Sequence, residues 1–267
     1  MNPRLQPLQA ALRRAHVLVL ADRLRLARRV LQARDENKVF GEQYPEFSIP
    51  PFRLLYEAHN QVAWRWYKES GELCATQIAG LLNRHSAHAP EVLLEWGCGP
   101  ARIVRHLPRL LPKTRLCASD YDADMVGWCS SHVDGVEFVR NRPDPPLAFP
   151  EGEFDSVYAV SVITHMSEAL AEAWMTELER VLAPAGLLLL WTNGDSMARA
   201  LLPDERRLYD QGRCVTRGGI KQGRKWYLAF HPDPWVRNRL LRSFVIVDHI
   251  RGGFSGVEQD IWVARRQ

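Results

Sequence analysis

The residues with the clearest chemical potential form a loop that follows a short apolar segment. Residues 92–95 end on the carboxylate of Glu95, and two glycines follow at alternate positions, Gly97 and Gly99. Glycine lets the backbone turn tightly and approach a ligand without an intervening Cβ. In open parallel sheets, ligands bind beyond the carboxyl ends of the strands. The spacing therefore predicts a ligand-binding loop that contains Glu95, Gly97, Cys98 and Gly99.

Such a loop could bind either a nicotinamide dinucleotide or a nucleoside cofactor without phosphate. A nicotinamide dinucleotide requires the pattern G-x-G-x-x-G, which places its pyrophosphate at a helix N-terminus. Arg102 stands at the last glycine position, so this pattern fails. A ligand without phosphate needs only the space that Gly97 and Gly99 leave open.

A second predicted strand ends on another carboxylate, Asp120. A carboxylate there can accept hydrogen bonds from both hydroxyls of a ribose. Tyr121 follows and is placed to pack on an adenine ring, and Asn141 follows the third predicted strand, where it can meet the adenine edge. The alternative for Asp120 is a helix N-cap beside Asp122 and Asp124.

Four segments in order resemble the motifs of the class I S-adenosylmethionine-dependent methyltransferases. They are the glycine loop at 95–101, Asp120, the segment 154–161 and the segment 180–190, which reads R-V-L-A-P-A-G-L-L-L-L. Ala101 and Ala185 stand where the family has glycine. The resemblance implies S-adenosylmethionine as cofactor, S-adenosylhomocysteine as product, and Ser161 as a further cofactor contact.

A narrower resemblance joins the segments 140–149, 161–166 and 259–263 to a bacterial methyltransferase subgroup of the type 11/12-like domains. That subgroup is often associated with polysaccharide or natural-product biosynthesis. It implies a small-molecule or glycan acceptor.

Two histidines are candidates for a general base, which methyl transfer needs only when the acceptor must lose a proton. His165 follows the fourth predicted strand, and an imidazole titrates near neutral pH. His231 is the second candidate. The alternatives are that His165 orders its loop and that His231 caps a helix together with Asp233. Trp226 and Tyr227 are predicted to line the acceptor pocket.

Hydrophobic periodicity predicts strands and helices that alternate from residue 91 onward. Short apolar strands fit burial on both faces of a parallel sheet. We therefore predict an α/β fold with a Rossmann-like, doubly wound, seven-stranded sheet, mostly parallel with an antiparallel last strand. An N-terminal helical extension or lid at 1–86 precedes a methyltransferase domain at 87–267, in which a substrate-side β-hairpin and helix insert at 195–243 precedes the last strand pair.

Helices are predicted at 1–34, 53–86 with a break at Gly71, 103–111, 124–132, 169–182 and 235–241, and a turn at 184–186. Strands are predicted at 92–95, 116–120, 136–140, 156–162, 187–192, 214–216, 225–230, 244–250 and 259–264.

The charge of the 267-residue chain is unevenly distributed. Residues 1–34 hold eight arginines and one acid and therefore carry +7, which leaves −3 for the rest of a chain whose net charge is +4. A basic arm on an acidic body argues against a nucleic-acid-binding main domain. The arm shows one apolar stripe at helical spacing, formed by Val17, Leu20, Leu24, Ala27 and Leu31. It predicts a helix that packs on the body, with a dimerisation arm or a membrane-surface helix as alternatives.

Composition excludes several other classes of protein. The longest apolar run, residues 187–191, is far shorter than the roughly 18 residues of a membrane span. Five scattered cysteines without a C-x-x-C pair indicate a reducing, cytoplasmic compartment. No cluster of histidines and carboxylates has metal-ligand spacing, so no metal is predicted.

The resemblance, together with these patterns, implies a cytoplasmic, bacterial methyltransferase, a monomer or a homodimer, that acts on an O or N atom of a small molecule by in-line displacement. The alternative is a methyltransferase that acts on RNA or protein and uses the basic arm for binding.

Overall fold

A computed structural model describes residues 17–217, 222–223, 225–254 and 257–267, with side chains from residue 21 onward. Most of the predicted glycine-rich turn at 218–224 and the first half of the basic arm lie outside the described residues. The chain divides into two compact units, Met1–Ser70 and Gly71–Gln267. This division falls upstream of the boundary predicted at 86/87.

The second unit alternates strands and helices as the sequence predicts, after a helix that spans the division. In chain order the elements of both units are α1 (Val17–Gln32), α2 (Arg34–Gln43), α3 (Phe52–His59), α4 (Trp64–His85), β1 (Val92–Trp96), α5 (Leu107–Leu110), β2 (Arg115–Asp120), α6 (Ala123–His132), β3 (Glu137–Arg140), β4 (Phe154–Ala159), α7 (Glu168–Val181), β5 (Leu182–Thr192), α8 (Pro203–Asp210), β6 (Val215–Arg217), β7 (Leu228–Phe230), α9 (Asp233–Trp235), β8 (Phe244–Ile250) and β9 (Asp260–Arg266). Short 3-10 turns cover Val104–His106, Ile163–His165 and Met197–Ala200, and a π-helical turn covers Val236–Leu240.

Seven strands form one sheet in the order β3-β2-β1-β4-β5-β9-β8. The first five in this order run parallel, and β9 pairs antiparallel with both β5 and β8. The strands β6 and β7 form a separate antiparallel pair within the predicted insert. The predicted doubly wound sheet with an antiparallel last strand is confirmed. Its parallel order brings the loops after β1, β2, β4 and β5 to one edge.

The central strands of the sheet are buried on both faces, which explains their apolar composition. Alternate residues of β1 show this, because Leu93 and Leu94 belong to different buried clusters on opposite faces. The α7 helix packs on the Leu94 side through Trp174, and α4 packs on the Leu93 side through Ile78. Burial on both sides fixes the strand ends that carry the site.

The break between the two helices before the sheet lies at Asn60, and the prediction of a break at Gly71 is wrong. Asn60 ends α3 in the left-handed conformation with φ 54°. Gly71 lies inside α4, where a Cβ would come 2.0 Å from the carbonyl oxygen of Arg102. Its missing side chain therefore allows the helix to approach the backbone that follows the glycine loop.

The apolar stripe of the arm is exposed where its side chains are described. Leu24 is 64% and Leu31 is 72% exposed, and the packing of this stripe on the body stays a prediction. The acid of this helix, Asp22, accepts a hydrogen bond of 2.7 Å from the hydroxyl of Tyr56. Among the described residues, no helix is both long and apolar enough to cross a membrane.

Three strand boundaries differ from the sequence prediction by three residues or more: the end of β4, the start of β5, and the start of β7, which is Leu228 rather than residue 225. β4 ends at Ala159 rather than at residue 162, and Ser161 then takes φ 64°. β5 begins at Leu182 rather than at 187, and it includes the predicted turn as an irregularity in its pairing with β4.

The two alanines that replace family glycines both adopt left-handed backbone. Ala101 has φ 57° and Ala185 has φ 61°. This conformation places Cβ close to the carbonyl oxygen and costs roughly 1–2 kcal/mol for an L-residue. The family glycines thus correspond to positions where this chain carries backbone strain.

We expect Ala185→Gly to stabilise the fold by about 0.5–1 kcal/mol, because relief of strain exceeds the added entropy of the unfolded chain. The matched control is Ala183→Gly, since residue 183 lies in the same strand and is not among the residues with positive φ. That control should lower stability. Urea unfolding of both variants measures the difference, and a loss of stability in Ala185→Gly would contradict the strain.

Candidate cofactor and acceptor site

The glycine loop after β1 is attached to the end of β2 by its own backbone. The amides of Gly97 and Cys98 donate to the carbonyl oxygen of Ser119, at 2.8 and 3.0 Å. The amide of Gly99 donates to Oδ2 of Asp120 at 2.9 Å. The two sequence motifs predicted to bind the cofactor are therefore one hydrogen-bonded unit.

Gly97 provides space that another residue would fill. Its φ is +76°, and a Cβ there would lie 2.4 Å from Cγ2 of Val162. The loop after β1 thus packs directly on the loop after β4. Any side chain at residue 97 would collide with this neighbour as well as strain the backbone.

Asp120 is only 7% exposed and accepts a backbone bond on each oxygen. Besides Gly99 on Oδ2, the amide of Asp122 donates to Oδ1 at 2.9 Å. Burial raises the pKa of Asp120, and these amides act in the opposite direction. The predicted helix cap is instead Asp122, whose carboxylate accepts from the amides of Asp124 and Met125. Asp120 does not cap α6, and its carboxylate instead holds the amide of Gly99 in the loop.

Glu95 points beneath the loop. Its Oε2 accepts from the amide of Val104 at 3.1 Å, and the side chain is almost fully buried. Burial raises the pKa of Glu95 to about 8, against the lowering influence of Tyr158, Arg102 and the Val104 amide. In this position the carboxyl group holds the turn that follows the loop.

Asn141 lies beside the end of β2. Its amide donates to the carbonyl oxygen of Asp120 at 3.0 Å, and its Nδ2 donates to the carbonyl oxygen of Arg142. Its Oδ1 is buried and has no hydrogen-bond partner among the described residues. The side chain of Tyr121 is half-buried, and its hydroxyl donates to the carbonyl oxygen of Gly223 at 2.9 Å.

Cys98 and Ser161 complete the predicted cofactor contacts. Burial is the main reason that the pKa of the Cys98 thiol lies well above its usual value, so this residue stays a neutral thiol. Ser161 lies two residues beyond β4, and its hydroxyl is 3.1 Å from Oγ1 of Thr164.

His165 is oriented by the insert. Its Nδ1 lies 2.7 Å from the carbonyl oxygen of Tyr227, so Nδ1 carries the hydrogen and Nε2 keeps a lone pair. Burial lowers the pKa of His165, although the bond to Tyr227 partly offsets this effect. Tyr227 is buried, whereas Trp226 is 40% exposed.

His231 is 1% exposed, and its backbone amide donates to the carbonyl oxygen of Asn193 at 2.8 Å. Burial, aided by the nearby His165, lowers the pKa of His231 to about 3. The ring is therefore neutral at physiological pH and a weak base. Of the two predicted bases, His165 has the better protonation state and orientation.

Two further polar residues lie at this edge, Asn193 and Gln259, for which no role was predicted from the sequence. Asn193 follows β5, and Gln259 precedes β9. Both are buried, at 2% and 7% exposure. The available signal was a polar amide directly adjoining an apolar strand at the edge where ligands bind.

One group among the described residues has the spacing of metal ligands, although no metal was predicted. Asp233, His249 and Asp260 offer ligand atoms within 4.8 Å of one another. His249 lies 3.2 Å from Asp260 and 3.7 Å from Asp233, and Arg251 lies 2.5 Å from Asp233. The guanidinium already supplies positive charge to Asp233, which disfavours a cation there.

The sequence profile of a family described as a methyltransferase domain matches residues 93–186. The chain is 28% identical over 104 residues to the malonyl-[acyl-carrier protein] O-methyltransferase of Hahella chejuensis, a match that covers 39% of this chain and 37% of that protein. The chain therefore spans well under half of this relative.

Solved structures show the same fold. An amino pentose methyltransferase from Micromonospora echinaspora, with S-adenosylmethionine bound, has a TM-score of 0.56 at 14% identity, over 76% of this chain and 94% of that one. The 1,6-didemethyltoxoflavin-N1-methyltransferase of Burkholderia thailandensis, with its substrate and S-adenosylhomocysteine bound, has a TM-score of 0.53 at 19% identity, over 76% and 81%.

Fold, loop geometry and family profile agree. The second unit carries a methyltransferase domain with the fold of the class I S-adenosylmethionine-dependent methyltransferases, and the resemblance found in the sequence is confirmed.

Proposed function

We propose that the protein transfers a methyl group from S-adenosylmethionine to an oxygen or nitrogen atom of a small molecule. The observation that carries this proposal is the hydrogen bond from the Gly99 amide to the Asp120 carboxylate, which places a buried hydrogen-bond acceptor beside a loop in which Gly97 and Gly99 lack side chains. The small-molecule substrates named for the two structural neighbours support the acceptor class.

The residues present fit the cofactor. The Asp120 carboxylate accepts from the amides of Gly99 and Asp122, and a carboxylate has about four acceptor positions, so it can also receive a ribose hydroxyl. The buried Oδ1 of Asn141 lacks a partner among the described residues, and an exocyclic adenine amine is a donor of the required kind. When bound, S-adenosylmethionine supplies a methyl group activated by a positively charged sulfur.

The chain's own contribution is position and proton removal. Aligning two reactants lowers the barrier by several kcal/mol. His165 holds an unprotonated Nε2 because its Nδ1–H donates to Tyr227. This nitrogen can accept the proton of a hydroxyl or of an ammonium acceptor.

We expect His165→Ala to lower turnover by roughly 10²–10⁴-fold, the usual contribution of a general base. The wild-type rate should rise with pH as His165 loses its proton. Because burial lowers that pKa, the midpoint should lie below 6.5, and the variant should lack this acid limb. Initial rates at saturating cofactor across pH 4–9 test this expectation, and an unchanged profile means that no base acts at residue 165.

Methyl transfer from isotopically labelled S-adenosylmethionine into extracts of the cells that make the protein tests the proposed function. Labelled product is expected in the small-molecule fraction, and Gly97→Ala, which should not bind the cofactor measurably, provides the inactive control. Label in RNA or protein instead would favour the alternative acceptor, for which the exposed Arg23, Arg25 and Arg28 of α1 supply positive charge. No product in any fraction would overturn the proposal.

A further inference from the structure

A connected set of polar side chains lies where the ends of β4 and β5 meet the start of β9. Nε2 of Gln259 is 2.8 Å from Oγ of Ser161 and 2.8 Å from Oδ1 of Asn193. Nδ2 of Asn193 is 2.8 Å from the carbonyl oxygen of Ala229. The hydroxyl of Thr164 is 2.7 Å from the carbonyl oxygen of Ser161.

The direction of every bond in this set follows from its two ends. A carbonyl only accepts, so Asn193 donates to Ala229 and turns its own Oδ1 toward Gln259. Gln259 must then donate one hydrogen to Asn193, which leaves its second hydrogen for Ser161. The Thr164 hydroxyl donates to the carbonyl oxygen of Ser161, so the Ser161 hydroxyl must donate to Thr164. No alternative amide orientation satisfies the same contacts.

This assignment leaves Oε1 of Gln259 as an acceptor without a donor. It is buried and has no hydrogen-bond partner among the described residues, and neither has Nδ1 of His231. A buried polar atom that lacks a hydrogen-bond partner destabilises the fold. The Gln259 amide cannot rotate to relieve this cost without losing both of its own donations. No donor among the described residues satisfies it, which leaves this oxygen for a donor of a bound molecule.

The backbone around Gln259 is held firmly. The neighbouring carboxylate of Asp260 is fully buried and accepts from the amide of Gly252 at 2.8 Å. A Cβ on Gly194, which follows Asn193, would lie 2.1 Å from Oδ2 of Asp260. The segments that carry Asn193 and Gln259 are therefore in direct contact, and the amide oxygen has a fixed location.

That location is the reacting edge of the sheet. Ser161, which Gln259 contacts, immediately precedes Val162, and Val162 packs on Gly97 of the cofactor loop. The same turn continues to His165. We propose that Gln259 binds the methyl acceptor directly: its Oε1 accepts a hydrogen bond from that molecule, which must therefore present a hydroxyl or amine donor rather than a carboxylate. This inference rests on the proposed function.

The test compares Gln259→Met, which keeps the length of the side chain and removes its amide, with Thr192→Val. Thr192 lies next to Asn193 and accepts a buried bond of 3.0 Å from Trp262, so its variant loses a buried hydrogen bond without reaching Oε1. The probe is the extract fraction that wild-type protein labels with methyl groups from S-adenosylmethionine. Serial dilution of that fraction gives an apparent KM.

We expect Gln259→Met to raise the apparent KM for this fraction about 10-fold, the effect of about 1.4 kcal/mol, while the Kd of S-adenosylhomocysteine stays within about twofold. Thr192→Val should change stability and leave the apparent KM unaltered. Equal KM values in the wild type and Gln259→Met would overturn this inference alone. An absence of transfer by the wild type would overturn the proposed function and this inference with it.

A crystal structure with S-adenosylhomocysteine provides a second readout that does not need the acceptor. Oε1 of Gln259 is expected to face an ordered water at the position of the acceptor donor. A bond from Oε1 to a donor of the protein itself, or a reversed amide, would overturn the inference even if Gln259→Met is impaired.

Discussion

Replacement of Asp120 by alanine should weaken binding of S-adenosylhomocysteine by about 5- to 150-fold, which corresponds to roughly 1–3 kcal/mol. The variant removes the buried carboxylate proposed to receive the ribose hydroxyls. It also frees the amide of Gly99, so the loop loses one of its attachments to β2. Both losses weaken cofactor binding, and titration calorimetry measures their combined effect on the Kd.

The neighbouring carboxylate provides the matched control. Asp122→Ala removes the N-cap of α6, which should cost about 1 kcal/mol of stability. It leaves the backbone amide that donates to Asp120 in place. Its affinity for S-adenosylhomocysteine should therefore match the wild type. If Asp120→Ala also binds normally, the ribose assignment is wrong.

Replacement of Gly97 by alanine should abolish measurable cofactor binding and destabilise the domain by about 2–5 kcal/mol. Left-handed backbone accounts for roughly 1–2 kcal/mol of this and overpacking for about 1–3 kcal/mol. The overpacking arises because the new Cβ would come 2.4 Å from Val162. Calorimetry and thermal unfolding measure the two effects separately.

Two further variants separate collision from backbone strain. Gly97→Ala combined with Val162→Ala removes the colliding methyl groups and should restore part of the stability, but the unfavourable φ remains. Gly80→Ala, in α4, meets no atom within 4 Å and should raise stability slightly through helix propensity. A folded Gly97→Ala protein with normal affinity would show that residue 97 does not face the cofactor.

The sheet could be predicted from the sequence because its signals are local. The strands 92–95, 116–120 and 187–192 are rich in apolar residues, and this composition predicts burial on two faces. The cofactor motifs were equally visible, since the glycine loop and Asp120 adjoin such strands. The helix break predicted at Gly71 was wrong because the role of this glycine, a close approach to Arg102, depends on a tertiary contact.

The acceptor side could be predicted only in part. His165 was found because it follows a strand, but its tautomer depends on the carbonyl of Tyr227, 62 residues away. Gln259 and Asn193 lie 66 residues apart, and no pattern in the sequence pairs them. The exposure of Leu24 and Leu31 could not be predicted either, because periodicity identifies an apolar face and not what covers it.

The backbone of Gly223 links the segment proposed to bind the methyl donor to the segment proposed to bind the methyl acceptor. Its carbonyl oxygen receives the Tyr121 hydroxyl from the end of β2, and its amide donates to the carbonyl oxygen of His165 at 2.8 Å. A single residue of the insert thereby spans the segments proposed for donor and acceptor. Outward movement of the insert would break both of these hydrogen bonds. Either substrate that enters through this side therefore requires the same two bonds to break.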